Sequence, residues 1–95
     1  MPVKWLRRAL ENLDEEAGYI AQDSPRMAAE FVLHMRDSAT PLAEHPNMGR
    51  PGRIAGTREL VVTRFSYILP YRVRGGAVEI LRVFHTARKW PKQMS

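Results

Sequence analysis

The residues best suited to chemistry gather near the end of this 95-residue chain, in Glu79-Ile80-Leu81-Arg82-Val83-Phe84-His85-Thr86-Ala87-Arg88-Lys89-Trp90. An imidazole titrates near neutral pH and can give or take a proton. A guanidinium can hold a phosphate through two parallel hydrogen bonds, and an ammonium adds a compact charge. His85, Arg82, Arg88 and Lys89 are thus the group types for RNA scission by attack of a 2′-hydroxyl on its own phosphodiester. That reaction needs a base, an acid and cationic stabilisation of the transition state. The plainer reading is a histidine closing a strand end beside a solvated basic tail, since one histidine is weak evidence of catalysis. Trp90 either stacks on a base or partner residue, or folds back onto the core.

Other chemistries find less support. His34, His45 and His85 fall in a predicted helix, a loop and a strand end, with no second ligand at metal spacing. The chain has no cysteine, so it offers no disulfide framework, thiolate zinc site or thiol nucleophile. Gly49-Arg50-Pro51-Gly52-Arg53 is rich in glycine and arginine but lacks the GK[ST] ending of a nucleotide phosphate loop. It reads either as a turn-rich connector or as a basic loop bordering an anion site, with Gly52 and Gly56 allowing close backbone approach. Arg58 and Glu59 open a predicted strand, where either is a candidate ion-pair member. The expectation is therefore no metal and no cofactor.

These groups must be positioned by two kinds of element. Leu6, Leu10, Leu13, Ala17 and Ile20 recur at steps of four and three, one face of an amphipathic helix whose outer face holds Glu11, Asp14, Glu15 and Glu16. That helix should stop near Gln22. Asp23-Ser24-Pro25 then supplies an N-cap followed by proline at the first helical position. Ala28, Phe31, Val32, Met35, Ala39 and Leu42 mark the buried face of a second helix, which Pro41 should kink or end. So short a connection makes the pair an antiparallel helical hairpin. Residues 2–6 read either as a short first strand or as the start of the helix. Residues 45–56 are a loop.

Beyond it the pattern turns to strands at 58–64, 66–73 and 78–85. Arg74-Gly75-Gly76-Ala77 is a tight hairpin turn. Pro70 cannot donate to a ladder and implies a bulge or a locally unpaired edge on its own strand. Strict alternation along 78–85 places Arg82 and Phe84 on one face, and Glu79, Leu81, Val83 and His85 on the other. The expected architecture is α+β, a helical hairpin on one face of a small antiparallel sheet. The opposite sheet face is then either polar or a place where something binds.

Composition places this within one domain spanning residues 1–95, with 44% hydrophobic and 26% charged residues. No apolar run reaches the roughly 18 residues of a membrane span, and the start carries no signal-peptide pattern, so a cytoplasmic location without membrane contact is expected. The net charge of +5 is unevenly placed. Residues 1–48 carry five Lys/Arg against eight Asp/Glu, and residues 49–95 carry ten against two. That asymmetry suggests an acidic partner or nucleic acid, or else simply a solvated basic face.

The order of motifs resembles the RelE/ParE toxins of bacterial type II toxin–antitoxin modules, closer to ParE-like members. The resemblance rests on Ala9-Leu10-Glu11-Asn12-Leu13, Tyr19-Ile20-Ala21, Leu42-Ala43-Glu44-His45-Pro46 and Gly49-Arg50. It is most specific in Gly56-Thr57-Arg58-Glu59-Leu60-Val61-Val62, Tyr67-Ile68-Leu69-Pro70-Tyr71-Arg72-Val73 and Val78 through Arg88. It implies a cytoplasmic growth inhibitor, neutralised by a cognate antitoxin whose flexible tail folds against the hairpin and the sheet, with homo-oligomers arising through the antitoxin complex. The RelE-like branch cleaves mRNA in the ribosome; the ParE-like branch inhibits DNA gyrase and is not a nuclease. The nuclease branch typically has an arginine three residues before the tyrosine matched by Tyr71, where this chain has Ile68, and a late tyrosine where this chain has Trp90. The resemblance therefore implies a gyrase-directed toxin that binds its target through Arg58, Arg64, Arg82, His85, Arg88, Lys89 and Trp90. The alternatives are a ribosome-dependent endoribonuclease using His85, Arg82 and Arg88, and a non-toxic binding domain of the same fold.

Overall fold

The computed structural model describes residues 1–87. Strand β1 (Val3–Trp5) leads into helix α1 (Arg7–Ala21). Helix α2 (Pro25–Ala39) follows after a short turn. Ser24 caps it as expected, its hydroxyl accepting from the Met27 amide at 3.1 Å, with Pro25 opening the helix. Pro41 converts the end of α2 into one 3₁₀ turn over Thr40–Ala43. The strands are β2 (Arg50–Pro51), β3 (Arg58–Val62), β4 (Tyr67–Arg74), β5 (Ala77–Ile80) and β6 (Phe84–His85).

The sheet runs β1-β5-β4-β3-β2, with β6 continuing beside β4. The neighbours are antiparallel except β1, which lies parallel to β5 with Val3 opposite Val78 and Trp5 opposite Ile80. The α+β expectation holds, and residues 2–6 do contain a strand, but that strand makes the sheet mixed. A parallel partner needs a long crossover. Here the hairpin, β2, β3 and β4 all intervene before β5 returns to the first strand.

The core lies between the hairpin and one sheet face, built on Phe31, Met35, Leu42, Leu69, Tyr71, Val78 and Ile80. Phe31 meets the rings of Phe65 and Tyr67 at 5.4 and 4.8 Å between centroids. Two expectations for α1 fail. Leu10 is 51% exposed and Ala9 is buried in its place, while Leu13, Ala17 and Ile20 pack on the core as the spacing predicts. The small side chain of Ala9, fully buried, fills the packed position expected for the adjacent Leu10. Glu16 is not on the outer face, because it accepts a hydrogen bond from the Tyr67 hydroxyl.

The last strand is also not continuous. Tyr71 pairs with Ile80, but Ile68 pairs with Phe84, so three steps on β4 face four on the returning chain. The extra residue is a bulge, and it sits on the returning chain and not, as expected, on the strand of Pro70. Its cause is Pro70, whose carbonyl accepts from the Leu81 amide at 2.8 Å but which has no N–H to return. The bulge shifts the phase of alternation. Val78, Ile80 and Val83 all enter the core, so Glu79 and Leu81 do not share a face with Val83 and His85. The pairing of Arg82 with Phe84 survives, with the guanidinium carbon 5.9 Å from the ring centroid. The sheet face away from the helices is neither bare nor wholly polar. Arg72 bonds Glu79 across it at 2.7 Å, while Ile68 and Pro70 are buried.

Candidate functional site

Of the expected target-binding residues, those among the described part of the chain, Arg58, Arg64, Arg82 and His85, have separate surroundings. Arg58 is turned to structure, its Nη1 donating to the Gly49 carbonyl at 2.8 Å. Arg64, just past the other end of β3, bonds Glu30 at 2.9 Å and lies 4.7 Å from the Phe65 ring centroid. Arg82 is buried beside α1. Arg88, Lys89 and Trp90 lie outside the described residues.

The Gly49–Arg53 loop is a tied clasp and not an open phosphate cradle. The Glu59 carboxylate, 3% exposed, holds Arg50 at 2.9 Å, and the Arg53 side chain and amide at 3.2 and 3.0 Å. Burial would raise its pKa. The Arg53 amide and the two guanidinium groups outweigh that and hold it below the usual carboxylate value. The Tyr71 hydroxyl donates to the Pro46 carbonyl at 2.7 Å and accepts from the Gly49 amide at 2.8 Å. A side chain at position 49 would run into the Tyr71 ring and hydroxyl at 2.6 Å, so glycine there is a packing requirement. Sequence reasoning marked Glu59 as a candidate ion-pair member, without its partners, and gave Tyr71 no role in the loop. The signal for the partners was a lone acid set among arginines in a Gly/Pro-rich stretch.

His85 lies elsewhere, in an open cleft of about 440 Å³ lined by Tyr19, Ile20, Phe65, Tyr67 and Ala87. Its ring stands edge-on to Tyr67, centroids 5.2 Å apart, and its Nδ1 accepts from the Ala87 amide at 3.1 Å. That bond fixes Nδ1 as the unprotonated nitrogen in the neutral ring and leaves Nε2 to carry the proton. Arg82 lies in the irregular segment between β5 and β6, near Arg8, Glu11 and Phe84, and is not among the residues lining the cleft. The structure thus separates the two groups that the scission chemistry needs together. The cleft floor also contains a strained turn. Phe65 and Ser66 have φ of 72° and 60°, a region that ordinary side chains disfavour. Packing of Phe65 against Phe31 and His34 holds it there.

What these features belong to is shown by comparison. Residues 3–90 match the model of the ParE toxin of type II toxin–antitoxin systems. The chain belongs to that family. It is 47% identical over 90 residues to Y4kP of Sinorhizobium fredii, covering 95% of this chain and 93% of that one. It is 42% identical over 86 residues to toxin RelE2 of Caulobacter vibrioides, covering 90% and 96%. Among solved structures it is similar to a chain of the chromosomal ParDE system from P. aeruginosa, with TM-score 0.82, 32% identity and coverage of 90% and 95%. A toxin of this family implies a cognate antitoxin as partner. No helix of the described residues is long and apolar enough to cross a membrane.

Proposed function

We propose that this ParE-family toxin acts in the cytoplasm by engaging DNA gyrase, and that its antitoxin silences it by occupying its surface. The observation that carries this reading is at position 68. Where the resemblance would put the cationic group of the nuclease branch, Ile68 is 5% exposed, set between Val61 and Phe84 on neighbouring strands. A buried aliphatic side chain offers nothing to a phosphodiester. The different surroundings of His85, in the cleft at the end of β6, and Arg82, in the irregular segment before β6 and near Arg8 and Glu11, support the same conclusion. Inhibition by binding needs no converging acid and base, only complementary surface and charge.

The ribosome-dependent nuclease remains the second reading, favoured by the 42% identity to a relative named RelE2. Induced expression separates the two. Gyrase as target predicts filamentous cells, a DNA-damage response and altered plasmid supercoiling, with transcripts intact. Rapid loss of translation with transcripts cut in the ribosome would replace this reading with the second. Harmless expression without the antitoxin would remove both.

A further inference from the structure

The target-binding cations expected from the sequence have separate surroundings, but others gather on one face of the sheet. Leu60, Leu69, Tyr71, Val78 and Ile80 enter the core and so set the phase of β3, β4 and β5. Alternation then turns Arg72, Arg74 and Glu79 to the face away from the helices. On β1, Val3 and Trp5 pack on the core, so Lys4 lies on that same face, level with Glu79 in the register. Arg50 and Arg53 join them where Glu59 holds them, with side chains still 52% and 48% exposed. Lys4 and Arg74 are exposed and make no ion pair among the described residues.

The other layer has the opposite sign. Residues 7–44, which form the helical hairpin and its 3₁₀ turn, carry four Lys/Arg against eight Asp/Glu. Two stacked layers of opposite charge make a field that draws a polyanion to the sheet and keeps it off the hairpin.

We propose that this sheet face, through Lys4, Arg50, Arg53, Arg72 and Arg74, docks the phosphate backbone of duplex DNA without reading its sequence. A guanidinium has more N–H donors than one carboxylate engages, so Arg50, Arg53 and Arg72 can keep Glu59 and Glu79 and still donate to phosphate. The cations extend from β1 to β2, four inter-strand steps of about 4.8 Å or roughly 19 Å in all. A duplex presents phosphates on two strands over such a width. The face lacks what other partners use. A protein interface is anchored by apolar and aromatic side chains in its centre. Here Ile68 is 5% exposed and Pro70 is buried, and Val61 is the apolar side chain left open between the cations. A single strand is held by rings on which its bases stack. The ring on this face, Phe84, is half-buried with the Arg82 guanidinium near it. Docking of this kind needs no acid or base, and it holds whether or not gyrase is the target.

The test is equilibrium binding of the full chain to a short labelled DNA duplex over a range of salt, with no gyrase present. Binding should saturate at low salt, fall steeply as salt is added, and be alike for two unrelated sequences. Lys4→Gln and Arg74→Gln should each weaken it several-fold and flatten the logarithmic salt slope by about 0.9. Arg36→Gln removes the same charge from the hairpin and should leave binding within about twofold of the parent. Equal losses in all three variants would reduce the effect to net charge and overturn the site, as would no binding at low salt. Tighter binding of an acidic peptide of matched charge would overturn the proposal in favour of a protein partner. Tighter binding of a single-stranded RNA would overturn the choice of duplex DNA. Backbone amide shifts of the unmodified chain give a second readout that needs no variant. With the duplex they should cluster on β1, β4 and residues 50–53, and shifts confined to the hairpin would contradict the proposal.

Discussion

At the scale of single residues, the strain and the chemistry meet in one turn and its neighbour. Ser66 holds a left-handed φ of 60° with its amide bonded to the Thr63 carbonyl and its carbonyl to the Thr86 amide. Both bonds survive loss of the side chain. Ser66→Gly should therefore stabilise the chain by about 0.5–1 kcal/mol, the relieved strain exceeding the added freedom of the unfolded glycine. Thermal unfolding would show this as a rise of a few degrees, and a lower Tm would mean the turn is unstrained. His85 was the most visible residue in the sequence, and the structure gives it a packing role against Tyr67. His85→Ala should cost about 1 kcal/mol of stability and leave growth arrest on induction intact. A stably folded, harmless His85→Ala protein would contradict this. Its location in the cleft beside Tyr19 and Phe65 was not legible, because the rings come from three elements distant in sequence.

At the scale of elements, helices and turns follow their local signals, while the last strand does not. Ser24 and Pro25 start α2, Pro41 ends it, and Gly75 and Gly76 take φ of 58° and 74° in the β4–β5 turn. Each is a local rule about caps, missing donors or positive φ. Pro70 announced a bulge, but which strand would absorb the extra residue depends on pairing geometry. That one residue reversed the face expected for Glu79 and Leu81. Ala9 took the buried position expected of Leu10, because spacing alone does not say which of two adjacent apolar residues packs on the core. The 46–58 clasp gives a sharper test. Tyr71→Phe removes both the bond to Pro46 and the bond from Gly49 in a buried site. It should cost about 1–2 kcal/mol in denaturant unfolding. A change below a few tenths would show that the hydroxyl does not hold the loop.

At the scale of the whole molecule, charge asymmetry was legible but its use was not. Residues 49–95 carry most of the cations, yet Arg50, Arg53, Arg64 and Arg72 each bond a carboxylate. Two of them share Glu59, which couples stability to pH. Its folded pKa lies below the ordinary 4.5, so the unfolded chain takes up its proton first as acid is added. The stabilisation is complete above about pH 4.5 and is lost as pH falls through the folded value. Glu59→Gln should thus be clearly less stable than the parent near pH 6, with the gap narrowing toward about pH 3. A gap that stays constant with pH would mean that the clasp does not rest on the ionised carboxylate.

The proposed reading, a toxin that works by occupying a large partner, rests on the family assignment and the buried Ile68. Purified gyrase and a purified translation system, each titrated with the toxin, test this most directly. The account predicts saturable loss of DNA supercoiling, reversed by the cognate antitoxin, with ribosome-bound mRNA left uncut. Cleavage of that mRNA with supercoiling unaffected would contradict it.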